Sequence, residues 1–214
     1  MDVNNGDVLT MVSFPEYDSN ILSKATDKQT ISSYFNDTRS IFLNRVFQGS
    51  YAPGSIVKPF IALEALYNGV ITPEVNILST GSMSVPNPYN PAKPTIFKDW
   101  RVNGYTDMRK AIAVSSDIYF YQVGGGFGSQ KGIGIASIEE VAILFGITKK
   151  TGIIFPGEVN GVIPSPKWKE KVFPGDPWRV GDTYNSAIGQ YGWQVTPIQM
   201  AHATGALATN GKLV

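Results

Sequence analysis

The sequence predicts a mixed fold in which helices dominate and a smaller sheet is under-represented. Three observations lead there. Helical signals occupy residues 55–69, 107–123, 137–145 and 196–211, an Asn4-Asn5-Gly6 turn sits among β-compatible residues at the N-terminus, and no internal repeat breaks the chain into units. A single compact body of 214 residues buries ~70% of its unfolded surface, enough for a genuine core.

Composition narrows the chemistry. With 18 Lys+Arg against 17 Asp+Glu the chain is near neutral, whereas a phosphate-binding surface needs a basic excess, so no nucleic-acid partner is expected. The absence of cysteine and the single histidine, His202, exclude Cys/His zinc sites, disulfides and cysteine nucleophiles. No stretch approaches the ~20 apolar residues that cross a bilayer, and the N-terminus does not resemble a signal peptide.

Asn4-Asn5-Gly6, followed by Asp7 to Phe14 with Val8, Leu9, Met11 and Val12, reads as a hairpin whose first strand has almost no length, as if the sequence began inside an element. Residues 15–48 are polar and mixed. From Ser55 to Asn68-Gly69 the chain carries Ile56, Val57, Phe60, Ile61, Ala62, Leu63, Ala65 and Leu66, apolar on nearly all sides, and reads as a buried central helix. Pro59 falls in its first turn or so, where a missing N–H is tolerated. Residues 72–104, rich in Pro, Asn and Ser, read as an extended surface excursion. A second helix is predicted over Asp107–Val123, and the glycines from Gly124 to Gly128 read as a flexible connection to a third over Ser137–Phe145. Five prolines and five glycines between Thr151 and Gly181 predict a loop, before a final amphipathic helix from Thr196-Pro197 to Asn210-Gly211.

Ser55-Ile56-Val57-Lys58 places a hydroxyl and an amine on one helix face, within mutual reach. An apolar surrounding disfavours charge on lysine, which suits Lys58 to take a proton and leaves Ser55 a nucleophile at a helix N-terminus, where backbone N–H groups stabilise an oxyanion. With 17 serines and 13 lysines, roughly one such spacing arises by chance. On spacing alone a serine N-cap followed by a snorkelling lysine is the commoner reading. The sharp Pro53-Gly54 turn and the buried helix favour the chemical one. Ser115-Ser116-Asp117 is by itself a polar half-turn on a helix, but its groups also suit a proton path to Lys58. His202 reads as a packed or surface residue of the last helix, and with no G-x-S-x-G elbow a Ser-His-Asp hydrolase is disfavoured. Trp168, Trp178 and Trp193 read as loop anchors rather than a sugar-peptide groove.

In order, Tyr51-Ala52-Pro53-Gly54-Ser55-Ile56-Val57-Lys58-Pro59-Phe60, Ser115-Ser116-Asp117 with Tyr119-Phe120-Tyr121, Thr151-Gly152-Ile153-Ile154-Phe155-Pro156-Gly157-Glu158, Gly181 to Gln190, and Val195-Thr196-Pro197-Ile198-Gln199-Met200-Ala201 resemble the transpeptidase domain of class B penicillin-binding proteins, the last two blocks more the elongation than the septal subgroup. The resemblance covers essentially the whole chain. It implies an α+β fold of the serine β-lactamase/penicillin-binding-protein type, a helical subdomain with an antiparallel sheet that is here truncated. It implies Ser55 as the acylated nucleophile, Lys58 as its general base, and Ser115 and Asp117 as the second motif, with Asp117 standing where many relatives have Asn and adding a negative charge near Lys58.

The implied activity is D,D-transpeptidation of peptidoglycan stem peptides ending in D-Ala-D-Ala, with β-lactam antibiotics acylating the same serine. No cofactor is implied. A glycosyltransferase of the elongation machinery is the implied protein partner, and the implied location is extracytoplasmic on a membrane-anchored protein. Gly104-Tyr105 stands where some relatives carry a metal-associated histidine, so no metal is expected here. The family's Lys-Thr/Ser-Gly strand lies downstream of the last helix. Lys150-Thr151-Gly152 spells that triplet, but its context matches a different block and it reads as a decoy. Residues 1–214 are therefore expected to be the N-terminal and central part of the domain, inactive by themselves. A non-catalytic cell-wall assembly fragment or pseudoenzyme and a related β-lactamase or antibiotic sensor are the alternatives.

Overall fold

The computed structural model describes residues 1–87 and 89–214. In chain order it forms α1 (Ser19–Lys24), α2 (Lys28–Phe35), a 3-10 turn (Gly54–Val57), α3 (Lys58–Tyr67), β1 (Ile77–Ser79), β2 (Ser82–Val85), β3 (Thr95–Lys98), β4 (Gly104–Thr106), α4 (Met108–Ala113), α5 (Asp117–Gly125), α6 (Gly134–Leu144), α7 (Pro166–Val172), α8 (Val180–Ala187) and α9 (Pro197–Ala208). β1 pairs antiparallel with β4, and β2 with β3. The fold is α+β with helices dominant, and its strands among the described residues form two small antiparallel ribbons. Two compact units share the chain.

One unit comprises residues 1–51, 145–161 and 195–214. Thr196 caps α9 and exchanges hydrogen bonds with Gln199 in a capping box, with Pro197 in the first turn, as the Thr-Pro signal predicts. Gln199 is buried, and its Nε2 donates to Lys149 O (2.9 Å) and Val159 O (3.1 Å), tying the 145–161 segment to the helix. Gly6 N donates to Asp2 O at 2.9 Å, so the predicted N-terminal turn forms, but no strand flanks it. The side chains explain this: Asp2 Oδ1 accepts from Asn4 N and Asn5 Oδ1 from Asp7 N, local bonds that compete with a ladder. Segment 15–48, polar to the eye, contains α1 and α2. Each is capped by an aspartate, Asp18 and Asp27, and neither has a buried residue; Ile31, Tyr34 and Phe35 share one face of α2, too short a stripe to stand out in the polar run.

The other unit comprises residues 52–144 and 162–194, with α3, α5, α6 and α8 around a core that includes Phe60, Ile61, Ile118, Phe120, Val123, Ile138 and Ala187. The α3 helix buries Phe60, Ile61 and Ala65 but exposes Leu63 and Leu66, so it is apolar all round yet buried on only part of its surface. The predicted 107–123 helix is in fact two. It breaks at Val114–Ser116, where Ser115 adopts φ +54°, a left-handed conformation that cannot continue a right-handed helix. The 72–104 excursion is folded into β1–β3 rather than merely extended, apart from Pro88, which lies outside the described residues. The presumed loop 151–181 contains α7, capped by Ser165 with Pro166 in its first turn, and the start of α8.

The glycines read as a flexible connection lie partly inside α5 and serve close packing. A Cβ on Gly124 would sit 2.3 Å from Ala187 Cβ, and one on Gly125 would sit 2.4 Å from the Tyr184 ring, so these glycines let α5 approach α8. Gly124→Ala gains about 1 kcal/mol of helix propensity but overpacks this contact at a cost of about 1–3 kcal/mol. A net fall in melting temperature is expected in thermal denaturation, and an unchanged or raised value would show that the helices have room to part.

Candidate active site

The nucleophile candidate is presented by a close backbone approach. Gly54, at φ +58°, donates its N–H to Gly189 O at 3.0 Å, and Gly189 lies at φ +74°. A Cβ on Gly189 would lie 2.2 Å from Gly54 O, so only glycine lets the end of α8 pass beneath the turn before Ser55. Ser55 follows in the 3-10 turn, exposed, while Lys58 at the start of α3 is 1% exposed.

Lys58 Nζ donates to Ser115 O (2.9 Å), Ser115 Oγ (3.0 Å) and Asp117 Oδ1 (2.6 Å). An ammonium has three protons, and here three acceptors meet them. Ser115 Oγ in turn donates to Ser55 Oγ at 2.9 Å. The structure thus brings together all four predicted residues, Ser55, Lys58, Ser115 and Asp117. It changes the wiring expected from spacing, because the group hydrogen bonded to the Ser55 hydroxyl is Ser115 and not Lys58. The break between α4 and α5 supplies the physical reason: it turns the carbonyl and hydroxyl of Ser115 toward the amine, which bonds there. Asp117 completes a buried-to-surface ion pair, its side chain 21% exposed against 2% for Lys58.

Asp99, just after β3, was not singled out by the sequence. The residue is 9% exposed, and its carboxylate accepts from Ser116 Oγ (2.8 Å), Ser79 Oγ (2.9 Å), Asn103 Nδ2 (3.0 Å) and the backbone N–H groups of Trp100 (2.9 Å), Asp117 (3.2 Å) and Ile118 (3.3 Å). Burial by itself would raise its pKa. The bonds from Ser116, Asp117, Ser79 and Ile118 outweigh burial and hold the carboxyl below its ordinary range. Two of its donors are the first amides of α5, where a negative charge also complements the helix dipole.

The Lys150-Thr151-Gly152 triplet lies in a loop, not a strand. Glu158, buried, accepts from Thr151 N (2.6 Å), Thr151 Oγ1 (2.7 Å) and Gly152 N (3.1 Å), so these groups are spent on shaping that loop. His202 is half-buried on α9. The indoles of Trp193 and Trp178 donate to Ser186 O and Thr183 Oγ1, anchoring segments around α8. Among the described residues no group of three or more His, Cys, Asp or Glu side chains is placed to hold a metal ion, and no helix is long and apolar enough to cross a membrane.

A family model described as the penicillin binding protein transpeptidase domain matches residues 1–214. A peptidoglycan D,D-transpeptidase MrdA of Salmonella typhimurium is 38% identical over 215 residues, covering 100% of this chain and 33% of that protein. Among solved structures, penicillin-binding protein 2 of Helicobacter pylori in complex with MreC matches with a TM-score of 0.86 and 33% identity over 98% of this chain and 37% of that one. Penicillin-binding protein 2 of Pseudomonas aeruginosa in complex with WCK 5153 matches with a TM-score of 0.84 and 33% identity, covering 98% of this chain and 44% of that one. The chain spans about a third of the length of the curated relatives it matches.

Proposed function

Because the chain belongs to the penicillin binding protein transpeptidase family, we propose that Ser55 is the nucleophile of a peptidoglycan D,D-transpeptidase, with Lys58 as its base and Ser115 and Asp117 as the groups that connect and balance it. The observation that carries this reading is the continuous path from Ser55 Oγ through Ser115 Oγ to Lys58 Nζ, with steps of 2.9 and 3.0 Å. When the amine is neutral, Ser55 passes its proton to Ser115, which passes its own to Lys58. Ser55 Oγ then attacks the carbonyl of the penultimate D-alanine, the C–N bond breaks, and the departing D-alanine takes the proton back along the same path. The amine of a neighbouring stem peptide resolves the ester by the reverse sequence. A β-lactam acylates the same oxygen as its ring opens.

The same reading makes residues 1–214 the N-terminal and central part of the domain, with the Lys-Thr/Ser-Gly strand supplied beyond them. It places the site outside the cytoplasm on a membrane-anchored protein that works beside a glycosyltransferase of the elongation machinery. Stem peptides and β-lactams are its ligands.

Two measurements on the intact protein test the assignment. A reporter penicillin is expected to leave its adduct on the peptide containing Ser55, and an acyl donor ending in D-Ala-D-Ala is expected to release D-alanine and form a cross-link. An adduct mapped to another residue refutes the nucleophile. Adduct loss within seconds, without cross-linking, favours a β-lactamase instead, and absence of any adduct favours a non-catalytic assembly role.

A further inference from the structure

Ser115 occupies an uncommon backbone conformation, at φ +54°. A non-glycine residue held there costs of order 1–3 kcal/mol and persists only where its surroundings enforce it. Two local bonds close the turn, Ser115 N–H to Ile112 O at 3.1 Å and Ser116 N–H to Ala111 O at 2.9 Å, and one short segment fastens the residues on either side of it. Trp100 Nε1 donates to Val114 O at 3.1 Å, and Asp99 accepts from Ser116 Oγ, Asp117 N and Ile118 N. Residues 114, 116, 117 and 118 are therefore all tied to Asp99-Trp100, while Ser115 between them bonds to Lys58 and Ser55 instead. The other side of the carboxylate reaches Ser79 at the end of β1 and Asn103 just before β4, so the ribbon that pairs these strands is fastened to the same point.

We propose that Asp99 is a positioning residue for the acylation step: its buried carboxylate, bound to three chain segments at once, holds Ser115 and Asp117 in the geometry that Lys58 requires. Asp99 bonds to neither Ser55 nor Lys58 and takes no proton in the reaction. Its charge matters because every group facing it is a donor. An asparagine of the same shape keeps one oxygen and turns an amide toward the rest. The hydroxyls of Ser79 and Ser116 can rotate to accept from that amide, but a backbone N–H cannot. Asp99→Asn therefore keeps part of the network, and Asp99→Ala keeps none.

This inference rests on the assignment of Ser55, and the experiment separates the two. Single-turnover labelling of the intact protein by a reporter penicillin yields an amplitude, which counts competent molecules, and a limiting rate, which reports how well each one is organised. The Asp99→Asn protein is expected to keep its amplitude and its half-saturating concentration while the limiting rate falls about 10-fold, and Asp99→Ala by about 100-fold, the scale of a small misplacement of reacting groups. Ser116→Ala, which removes the 2.8 Å bond to Asp99 together with the 3.4 Å cap bond from Tyr119 N, is expected to lower the rate a few-fold and carries the test with Asp99→Asn if Asp99→Ala does not fold. Glu158→Gln, which neutralises another buried, triply bonded carboxylate, is expected to lower the melting temperature with an unchanged limiting rate. A wild-type limiting rate in the Asp99→Asn protein, or a loss confined to amplitude, overturns the proposal. Labelling of the wild-type protein away from Ser55 overturns the nucleophile instead.

Discussion

Replacing Ser55 by alanine is expected to abolish covalent labelling by a reporter penicillin while leaving the melting temperature almost unmoved. The side chain is exposed, and among the described residues the one hydrogen bond of its hydroxyl is accepted from Ser115 Oγ. Losing an exposed hydroxyl of this kind changes stability by no more than about 0.5 kcal/mol. The chemical loss is of another order, because the variant lacks the hydroxyl that forms the ester. Removing the nucleophile of a serine hydrolase costs about 10⁶ in turnover, which is below detection in a gel-based assay. In-gel fluorescence alongside a thermal melt reads both quantities on one sample. Labelling that survives in a protein with a wild-type melt would move the nucleophile elsewhere.

Lys58→Met is expected to combine a large kinetic loss with a measurable structural one. Methionine fills the buried channel along α3 with a chain of similar length, so the cavity term is small. Acylation falls by about 10²–10⁴, the usual contribution of a positioned acid–base group. Stability falls because the carbonyl and hydroxyl of Ser115 and the carboxylate of Asp117 lose their common donor. A fully buried pair broken on one side costs about 3–5 kcal/mol. Asp117 remains partly open to water, so about 1–3 kcal/mol is expected here. Adding Asp117→Ala to Lys58→Met removes the stranded carboxylate and is expected to return part of that stability with no return of labelling. Urea denaturation and stopped-flow acylation check the two halves separately, and recovery of labelling in the double variant would show that Lys58 only neutralises Asp117.

The first motif is legible because its residues are local. Ser55 and Lys58 are separated by one turn, the glycine and proline before them mark the turn that presents the serine, and Thr196-Pro197 announces α9 in the same way. What the sequence hides is where a signal depends on distant partners. Val114-Ser115-Ser116 contains neither glycine nor proline, so no residue type marks the end of a helix there; the turn closes through Ser115 N–H to Ile112 O and Ser116 N–H to Ala111 O and is held by Lys58 on one side and Asp99-Trp100 on the other. Asp99 itself sits among polar loop residues, and its function emerges only when Ser79, Asn103 and Ser116 converge on it. The α7 helix shows a different kind of miss. Ser165-Pro166 is a legible helix start, but it lies in a stretch whose prolines and glycines suggest a loop when counted together.

The contact between Lys58 and Ser115 also has a kinetic meaning. The two residues are 57 positions apart and Ser55 and Ser115 are 60 apart, so the proton route closes only when a long segment returns on itself. Closing a loop of that length costs about 3.6 kcal/mol of chain entropy before any contact compensates, from the logarithmic length dependence. A nascent chain that has already wound α3 therefore displays Ser55 before Ser115 joins it to Lys58. On the proposed assignment, the connection between nucleophile and base arrives with the docking of α5, so acylation competence cannot precede that step of folding.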